Sequence, residues 1–327
     1  MIQVSHLTKR YGDHEAVRDI SFTVEKGKIY GFLGPNGAGK STTMNIITGC
    51  LSATEGTVSM NGHDIFEEPK EAKRAIGYLP ELPPVYLEET IEEYLTFVSD
   101  AKNIPKKEIK KEVERVMEAT QTTVFRNRLI KNLSKGYRQR VGIAQALLGN
   151  PEVIILDEPT VGLDPMQIIE IRELIAGLKD NHTVILSSHI LSEVQEICQV
   201  IIMIAHGKLI ACDTPENLQR QFAGDLKVEL IAEEEKGKVR SILKTVPDIT
   251  QIKYDELEPK RTKATITTKL DNSDSLTKNI FKAFSDAGIT LFELKTLQTD
   301  LEDIFIELTN QADVEYAREE ERRSAKE

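Results

Sequence analysis

The chain has 327 residues, of which 40% are hydrophobic and 29% are charged, an ordinary composition for a globular protein with a large core and one further domain. Its formal net charge of −11 gives no electrostatic sign of nucleic acid binding, for which a basic face would be needed. A net charge does not exclude a local basic patch, but we expect no nucleic acid partner. No stretch approaches the ~20 apolar residues of a membrane helix, and residues 2–5 are strand-like rather than the start of a secretory signal. We therefore expect any membrane function to come from a partner chain.

The first 65 residues are predicted to be mostly β-structure. Ile20, Phe22 and Val24 alternate with polar residues, as on a half-buried strand, and Asn61-Gly62 is a hairpin-turn pair. A short strand over residues 28–33 precedes a glycine-rich loop and an apolar helix. This pattern predicts an N-terminal antiparallel β subdomain around the start of a larger α/β core.

Residues 83–150 change to a helical pattern, with predicted helices over 89–98 and 106–119. Short aliphatic strands are predicted at 153–156, 184–186 and 200–204, and the first two show no polar alternation, which is typical of parallel strands buried on both faces. The fold class is therefore α/β, with a doubly wound core and a helical insertion.

The pattern restarts after residue 215 and predicts a small α+β domain over 216–310. Strands and helices are predicted in the order β-α-β-β-α-β, which matches a split, ferredoxin-like arrangement. The strands cover 227–231, 249–254, 264–268 and 291–297, and the helices cover 238–244, 274–287 and 300–308. Residues 311–327 form a charged tail, of which 315–327 are expected to be a frayed helix or disordered.

The three cysteines, Cys50, Cys198 and Cys212, have neither disulfide nor metal-ligand spacing. An odd number without a framework is typical of a reducing cytoplasm. We expect all three to be buried thiols without a chemical role.

The segment Gly34-Pro35-Asn36-Gly37-Ala38-Gly39-Lys40-Ser41 is a complete phosphate loop with a strand before it and a helix after it. Its glycines allow backbone N–H groups to surround a phosphate, and the helix N-terminus adds partial positive charge. We expect Lys40 to bridge the β- and γ-phosphates of a nucleotide and Ser41 to bind Mg²⁺. The cofactors predicted are ATP and Mg²⁺.

Two acids end the strand at 153–156. Asp157 is placed to reach the magnesium shell, and Glu158 to orient and deprotonate the water that attacks the γ-phosphate. A solvated or capping carboxylate is the structural alternative for Glu158.

Four further motifs follow in order along the chain: residues 133–139 (LSKGYRQ), 157–160 (DEPT), 162–164 (GLD) and 187–189 (SSH). Together with the phosphate loop they resemble the signature, Walker B, D-loop and H-loop motifs of ATP-binding cassette (ABC) ATPases, over roughly residues 1–215. In that family each ATP site is shared between two cassettes. The resemblance therefore implies a P-loop NTPase fold and a homodimer or a paired cassette.

The resemblance also implies roles for single residues. Glu158 would be the general base, His189 would contact the γ-phosphate, and Asp164 would link the two cassettes. Ser134 and Gly136 would reach the γ-phosphate held by the partner. Considered alone, His189 would more often be a packed histidine than a functional one, but its position directly after a buried strand favours the functional role.

Nucleotide binding would also involve the aromatic at the end of the first strand. Tyr11 occupies the position of the adenine-stacking residue of the family, although a plain surface tyrosine stays possible on the sequence. The full set expected to bind nucleotide is Tyr11, Gly34, Pro35, Asn36, Gly37, Ala38, Gly39, Lys40, Ser41, Thr42, Ser134 and Gly136.

One position departs from the family pattern. Glu81 stands where the family usually has glutamine; it can still bind Mg²⁺ beside Ser41 and Asp157, but it adds negative charge near the γ-phosphate. Residues 82–86 (LPPVY) lie where the family receives a helix of the membrane subunit. Ordinary linker prolines explain this segment equally well.

In the helix that follows Ser134, Val141, Ala144 and Leu148 are predicted to form a buried stripe, while Arg138 and Arg140 are interpreted as simply solvated.

The leading hypothesis is an ATPase subunit that powers a separate membrane permease from the cytoplasmic face of the membrane. The chain most resembles cassettes of the multidrug-export and gliding-motility type, in residues 133–140, in Pro80-Glu81 and in residues 301–308. This resemblance implies export. The alternative is a soluble ABC ATPase acting on ribosomes or DNA. Such proteins usually carry two cassettes, whereas this chain has one phosphate loop and a net negative charge.

Overall fold

The computed structural model describes residues 1–222, 226–258, 260–268, 273–297 and 300–324. Its contacts divide into two compact units, one formed by Met1–Pro215 with Phe305–Glu327 and the other by Glu216–Ile304. Residues 305–310, which were predicted to belong to the small α+β domain over 216–310, thus group with the first unit.

The first unit contains two sheets. Its strands are β1 (Ile2–Tyr11), β2 (His14–Val24), β3 (Ile29–Leu33), β4 (Glu55–Met60), β5 (His63–Asp64), β6 (Ile76–Leu79), β7 (Val153–Leu156), β8 (Thr183–Ser188), β9 (Val200–Ala205) and β10 (Lys208–Asp213). One sheet is antiparallel, with strand order β2-β1-β4-β5. It confirms the predicted β subdomain, and the β4–β5 hairpin turns at Asn61 and Gly62, both with positive φ.

The second sheet has the order β10-β9-β3-β8-β7-β6. Its five strands from β9 to β6 are parallel, and only β10 is antiparallel to its neighbour. β3, β7, β8 and β9 are buried along their whole length. For β7 and β8 this was predicted from the aliphatic runs at 153–156 and 184–186, which show no polar alternation. The carboxyl ends of β3, β7 and β8 therefore lie side by side, at the edge where ligands bind in such sheets.

The helices of the first unit follow the predicted pattern. They are α1 (Lys40–Ile47), α2 (Pro69–Arg74), α3 (Ile91–Ala101), α4 (Lys106–Ala119), α5 (Lys135–Leu147), α6 (Pro165–Leu178) and α7 (Leu191–Ile197). The next helix, α8 (Pro215–Phe222), begins at Pro215 of the first unit and belongs otherwise to the second. Thr90 caps α3 in a reciprocal capping box with Glu93. α3, α4 and α5 pack together as the helical insertion.

The second unit is α+β, with β11 (Leu226–Ala232), α9 (Lys236–Leu243), β12 (Gln251–Glu258), β13 (Arg261–Thr268), α10 (Ser273–Asp286) and β14 (Leu291–Leu297). Its described strands form an antiparallel sheet of order β12-β13-β11-β14. This order confirms the predicted split arrangement. Its core contains Val239 from α9 and Phe284 from α10.

The tail differs from the expectation. A single helix, α11, runs from Leu301 to Ser324, where a helix ending at residue 308 and a frayed or disordered segment were predicted. Glu319 bonds Arg18 at 3.1 Å and Lys208 at 2.6 Å, and the Tyr316 ring stacks on His206 at 4.4 Å. Residues 311–324 of the charged tail continue this helix, since basic residues far earlier in the chain bind its acids; residues 325–327 lie outside the described residues.

Two smaller expectations were wrong. Cys198 is buried, but Cys50 and Cys212 are exposed. Arg140 is not solvated: it is 5% exposed and donates to the carbonyl oxygen of Thr120 at 3.1 Å and to Glu170 at 2.8 Å. Within the described ranges, no helix is both long enough and apolar enough to cross a membrane.

Candidate active site

The phosphate loop connects β3 to α1 and is held against neighbouring backbone. Gly39 has φ +103°, and a Cβ there would lie 2.4 Å from the carbonyl oxygen of Ala16; a Cβ on Gly34 would lie 2.3 Å from that of Ile204. Because both contacts are with backbone, neither position accommodates a side chain without movement of the loop. The loop is therefore built from glycine for close packing as well as for its curvature.

Lys40 begins α1 and is almost completely buried, with 6% exposure. Its Nζ donates to the carbonyl oxygens of Gly34 at 2.9 Å and Pro35 at 3.2 Å, and lies 3.3 Å from Glu158 Oε1. A buried ammonium held by two carbonyl oxygens and one carboxylate can exchange these partners for an anion that enters the loop.

Glu158 follows β7, and its side chain contacts both Lys40 of the phosphate loop and His189, which follows β8. Its second carboxylate oxygen, Oε2, lies 2.9 Å from His189 Nδ1. Because an ionised carboxylate only accepts hydrogen bonds, Nδ1 carries the proton in this contact and Nε2 remains for another partner. Lys40, Glu158 and His189, predicted from separate motifs, thus meet in one cluster.

The backbone at Glu158 is unusual. Its φ is +48°, a left-handed conformation that costs energy for a residue with a side chain. The Glu158 N–H donates to Ser187 Oγ at 2.8 Å, and Ser187 Oγ donates to Asp157 Oδ1 at 2.5 Å. Ser187, which is fully buried, therefore anchors both acids that end β7.

Asp157 also accepts from the phosphate loop helix. Ser41 Oγ donates to Asp157 Oδ1 at 3.3 Å, and the Asp157 N–H donates to the carbonyl oxygen of Leu79 at 2.9 Å. Hydroxyl and carboxylate oxygens are the ligands that Mg²⁺ takes in proteins. These two side chains therefore fit a magnesium ion, which would arrive with the nucleotide.

A buried carboxylate that the motif analysis did not single out lies beside this cluster. Glu193, in α7, is 5% exposed; its Oε2 accepts from Thr160 Oγ1 at 2.7 Å and from Ser188 Oγ at 3.1 Å. Both Glu193 and Ser187 were missed as site residues. The available signal was a pair of serines directly after a buried aliphatic strand, with an acid four positions after His189 on the next helix.

The signature residues lie at the N-terminus of α5. Ser134 is the N-cap, exposed, and accepts from the Tyr137 N–H at 3.3 Å. Gly136 is buried, and a Cβ there would lie 2.7 Å from Gln167 Oε1. Asp164 is exposed and caps α6 by accepting from the Gln167 N–H at 3.0 Å. Within the described part of the chain, no hydrogen bond or ion pair joins Ser134 or Gly136 to the phosphate loop.

Two predicted residues stand apart from the cluster. Tyr11 ends β1 and is 50% exposed, with Lys9 Nζ 5.3 Å from its ring centroid. Glu81, after β6, is exposed, and among the described residues it has no hydrogen bond or ion pair to Ser41 or Asp157. Their roles toward adenine and magnesium stay predictions.

Comparison with known proteins gives one consistent family. Residues 17–161 match the family model described as ABC transporter. The chain is 31% identical over 310 residues to the linearmycin resistance ATP-binding protein LnrL of Bacillus subtilis, covering 94% of this chain and 98% of that protein. It is 40% identical over 212 residues to the bacitracin transport ATP-binding protein BcrA of Bacillus licheniformis, covering 64% and 68% respectively.

Solved structures agree with the sequence relatives. An ATP-binding subunit of an ABC transporter has a TM-score of 0.62 at 30% identity, covering 68% of this chain and 93% of that chain. A dimeric, post-hydrolysis cassette bound to ADP and Pi has a TM-score of 0.59 at 26% identity, covering 65% and 98%. With the phosphate loop, the two acids after β7 and His189 in one cluster, the chain belongs to the ABC transporter family, as an ATP-binding subunit with ATPase activity.

Proposed function

We propose that this chain is the nucleotide-binding subunit of an exporter: two cassettes close on ATP, and their cycle drives a separate permease from the cytoplasmic face of the membrane. The observation that supports the proposal most strongly is the contact of Glu158 with both Lys40 and His189, at 3.3 and 2.9 Å. This contact brings an acid, a cation and an imidazole together beside the phosphate loop, which supports a role for all three around a bound γ-phosphate.

ATP would bind with its β- and γ-phosphates in the loop of residues 34–41. The loop N–H groups and the N-terminus of α1 attract the anion, and Lys40 would exchange its present carbonyl partners for phosphate oxygens. The adenine would stack on Tyr11, whose ring is half exposed.

Magnesium would be held by Ser41 and Asp157, with Glu81 as a third oxygen ligand after movement of the segment that follows β6. When bound, the ion supplies positive charge that offsets the charge developing on the phosphates. Ser187 would keep Asp157 in place through its 2.5 Å hydrogen bond.

Hydrolysis would depend on release of Glu158 from Lys40. As Lys40 turns to the phosphates, Oε1 of Glu158 becomes available to accept the proton of an attacking water. His189 would stay hydrogen-bonded to Oε2 through Nδ1 and present Nε2 to the γ-phosphate. The left-handed backbone at Glu158, held by Ser187, fixes where the carboxylate points.

The second half of each site would come from another cassette. Ser134 presents an exposed hydroxyl at the N-terminus of α5, and an anion is favoured at such a position. With Gly136 beside it, this helix end would approach the γ-phosphate bound by the partner, while the exposed Asp164 would face the partner across the interface.

The permease contact would use the apolar surface after β6. Leu82 is 80% exposed, Tyr86 and Phe97 are each 52% exposed, and Leu87 is 46% exposed, with the rings of Tyr86 and Phe97 5.2 Å apart. Exposed apolar side chains close together in this way suit a partner helix. The names of LnrL and BcrA, a resistance and a transport protein, support export.

The catalytic proposal is tested by Glu158→Gln. We expect unchanged ATP binding, a fall in kcat by about 100-fold or more because the base is lost, and an ATP-bound dimer that elutes ahead of the monomer on size exclusion. Glu152→Gln, an exposed acid at the opposite end of β7, is the control and should turn over normally. Rapid hydrolysis by Glu158→Gln would overturn the assignment of the base.

The permease proposal is tested by capture from solubilised native membranes with tagged Glu158→Gln, ATP and Mg²⁺. Recovery of a chain with several apolar spans of ~20 residues is the expected result. Recovery of soluble partners alone would favour the ribosome- or DNA-directed alternative.

A further inference from the structure

We propose that Glu193 is a positioning residue for ATP hydrolysis: its buried carboxylate ties the turn after Glu158 to the segment that carries His189. The inference rests on the proposed function, since it concerns how those two residues are held together. Glu193 itself touches neither Glu158 nor His189 through a hydrogen bond or ion pair among the described residues.

The first tie runs to the turn that follows β7. Thr160 Oγ1 donates to Glu193 Oε2 at 2.7 Å, and Thr160 lies two residues after Glu158. The same turn is closed by a Val161 N–H bond of 3.2 Å to the Glu158 carbonyl oxygen. Thr160 is 5% exposed, so its hydroxyl has little access to water as an alternative partner.

The second tie runs to the end of β8. Ser188 Oγ donates to the same Glu193 Oε2 at 3.1 Å and accepts from the Ile190 N–H at 3.0 Å. Ser188 and Ile190, which flank His189, are therefore linked through the Ser188 hydroxyl, and the hydrogen bond to Glu193 orients that hydroxyl. Because Glu193 Oε2 accepts hydrogen bonds from both hydroxyls, this one oxygen links the turn after β7 to the end of β8.

Burial makes this arrangement stronger than its two bonds suggest. Glu193, Thr160 and Ser188 are each 5% exposed or less, and hydrogen bonds to a charged group in such surroundings hold their geometry tightly. The Glu158–His189 contact of 2.9 Å depends on how the two strand ends sit relative to each other. Loss of the outer hydrogen-bond partner of a metal-binding side chain lowers activity by about 10- to 100-fold, and we expect an effect at the lower end of that range for the analogous support that Glu193 gives.

The test compares Glu193→Ala, Glu193→Gln and the control Glu196→Gln, an exposed acid on the same helix paired with Arg172 at 2.5 Å. Steady-state phosphate release gives kcat and KM, and a fluorescent ATP analogue gives the dissociation constant. For Glu193→Ala we expect kcat to fall by about ten-fold or more, with the dissociation constant within about three-fold of the parent. Glu193→Gln should recover most of the rate, because an amide oxygen can accept both hydroxyls.

A second variant covers the case in which Glu193→Ala does not fold. Thr160→Val removes one tie with little change of shape and should lower kcat less than Glu193→Ala, again with ATP binding retained. The inference is overturned if Glu193→Ala hydrolyses ATP at the parent rate, or if Glu193→Ala or Thr160→Val loses ATP binding and kcat in parallel. Glu158→Gln, run in the same assay, separates the two proposals: its inactivity beside a fully active Glu193→Ala would remove only the positioning role.

Discussion

Ser187→Ala tests whether the strained backbone at Glu158 depends on one hydroxyl. The substitution leaves the buried Glu158 N–H without its 2.8 Å acceptor and Asp157 Oδ1 without its 2.5 Å donor. An orphaned buried N–H costs about 1–3 kcal/mol and a lost bond to a charged group about 1.5–3 kcal/mol. Allowing for partial relaxation, we expect the first unit to lose roughly 3 kcal/mol of stability.

Ser99→Ala is the matched control. Ser99 is also fully buried, but its hydroxyl donates only to the Leu95 carbonyl oxygen of its own helix at 2.7 Å, so its removal orphans no backbone donor. We expect a loss of about 1 kcal/mol or less. Hydrogen exchange by mass spectrometry on peptides covering β7 and β8 measures the difference locally, which suits a chain of two units. Equal losses for the two variants would refute the account of Ser187, and ATPase assays should show a lower kcat for Ser187→Ala alone.

Two further predictions concern the tail and the second unit. Tyr316→Ala removes a ring that stacks on His206 and lies 4.8 Å from the Arg18 guanidinium; we expect faster hydrogen exchange in the second half of α11, and unchanged exchange there would contradict the docked helix. The pKa of Glu229 is lowered by the hydrogen bond from Lys263, with Lys295 adding to it and burial opposing it. A lowered folded-state pKa contributes stability above the unfolded value of about 4.3 that is lost as the pH falls through the folded value. Glu229→Gln should therefore destabilise the second unit in urea at neutral pH, and this effect should disappear as the pH falls through the lowered folded-state pKa; an equal effect at neutral and acidic pH would refute the ion-pair explanation.

Local pattern was sufficient for much of the fold. α4 spans residues 106–119 and β7 spans 153–156, the bounds expected from charged-face periodicity and from an aliphatic run between polar ends. The glycines and Lys40 of the phosphate loop were also recognisable, because the spacing of these residues along the chain defines the loop. Such features depend on neighbours in the chain and not on distant contacts.

The parts that sequence analysis missed depend on distant partners. Arg140 is buried because Glu170 and the Thr120 carbonyl lie across the helical packing, which its own helix cannot reveal. The tail looked too charged to bury anything, yet its acids meet Arg18 and Lys208. Glu193 has no feature in the sequence that separates it from a surface acid, because its burial depends on its hydrogen bonds with Thr160 and Ser188.

The contacts around Lys40 suggest why hydrolysis would wait for nucleotide. In this structure Lys40 and Glu158, with side chains only 6% and 9% exposed, neutralise each other at 3.3 Å. A buried pair of this kind is costly to break unless a better partner arrives, and the phosphates of ATP are such a partner for the ammonium. Once Lys40 turns to them, Glu158 keeps only His189, and its freed oxygen is the one that would accept a proton from water. Occupancy of the phosphate loop and activation of the base would then be the same event.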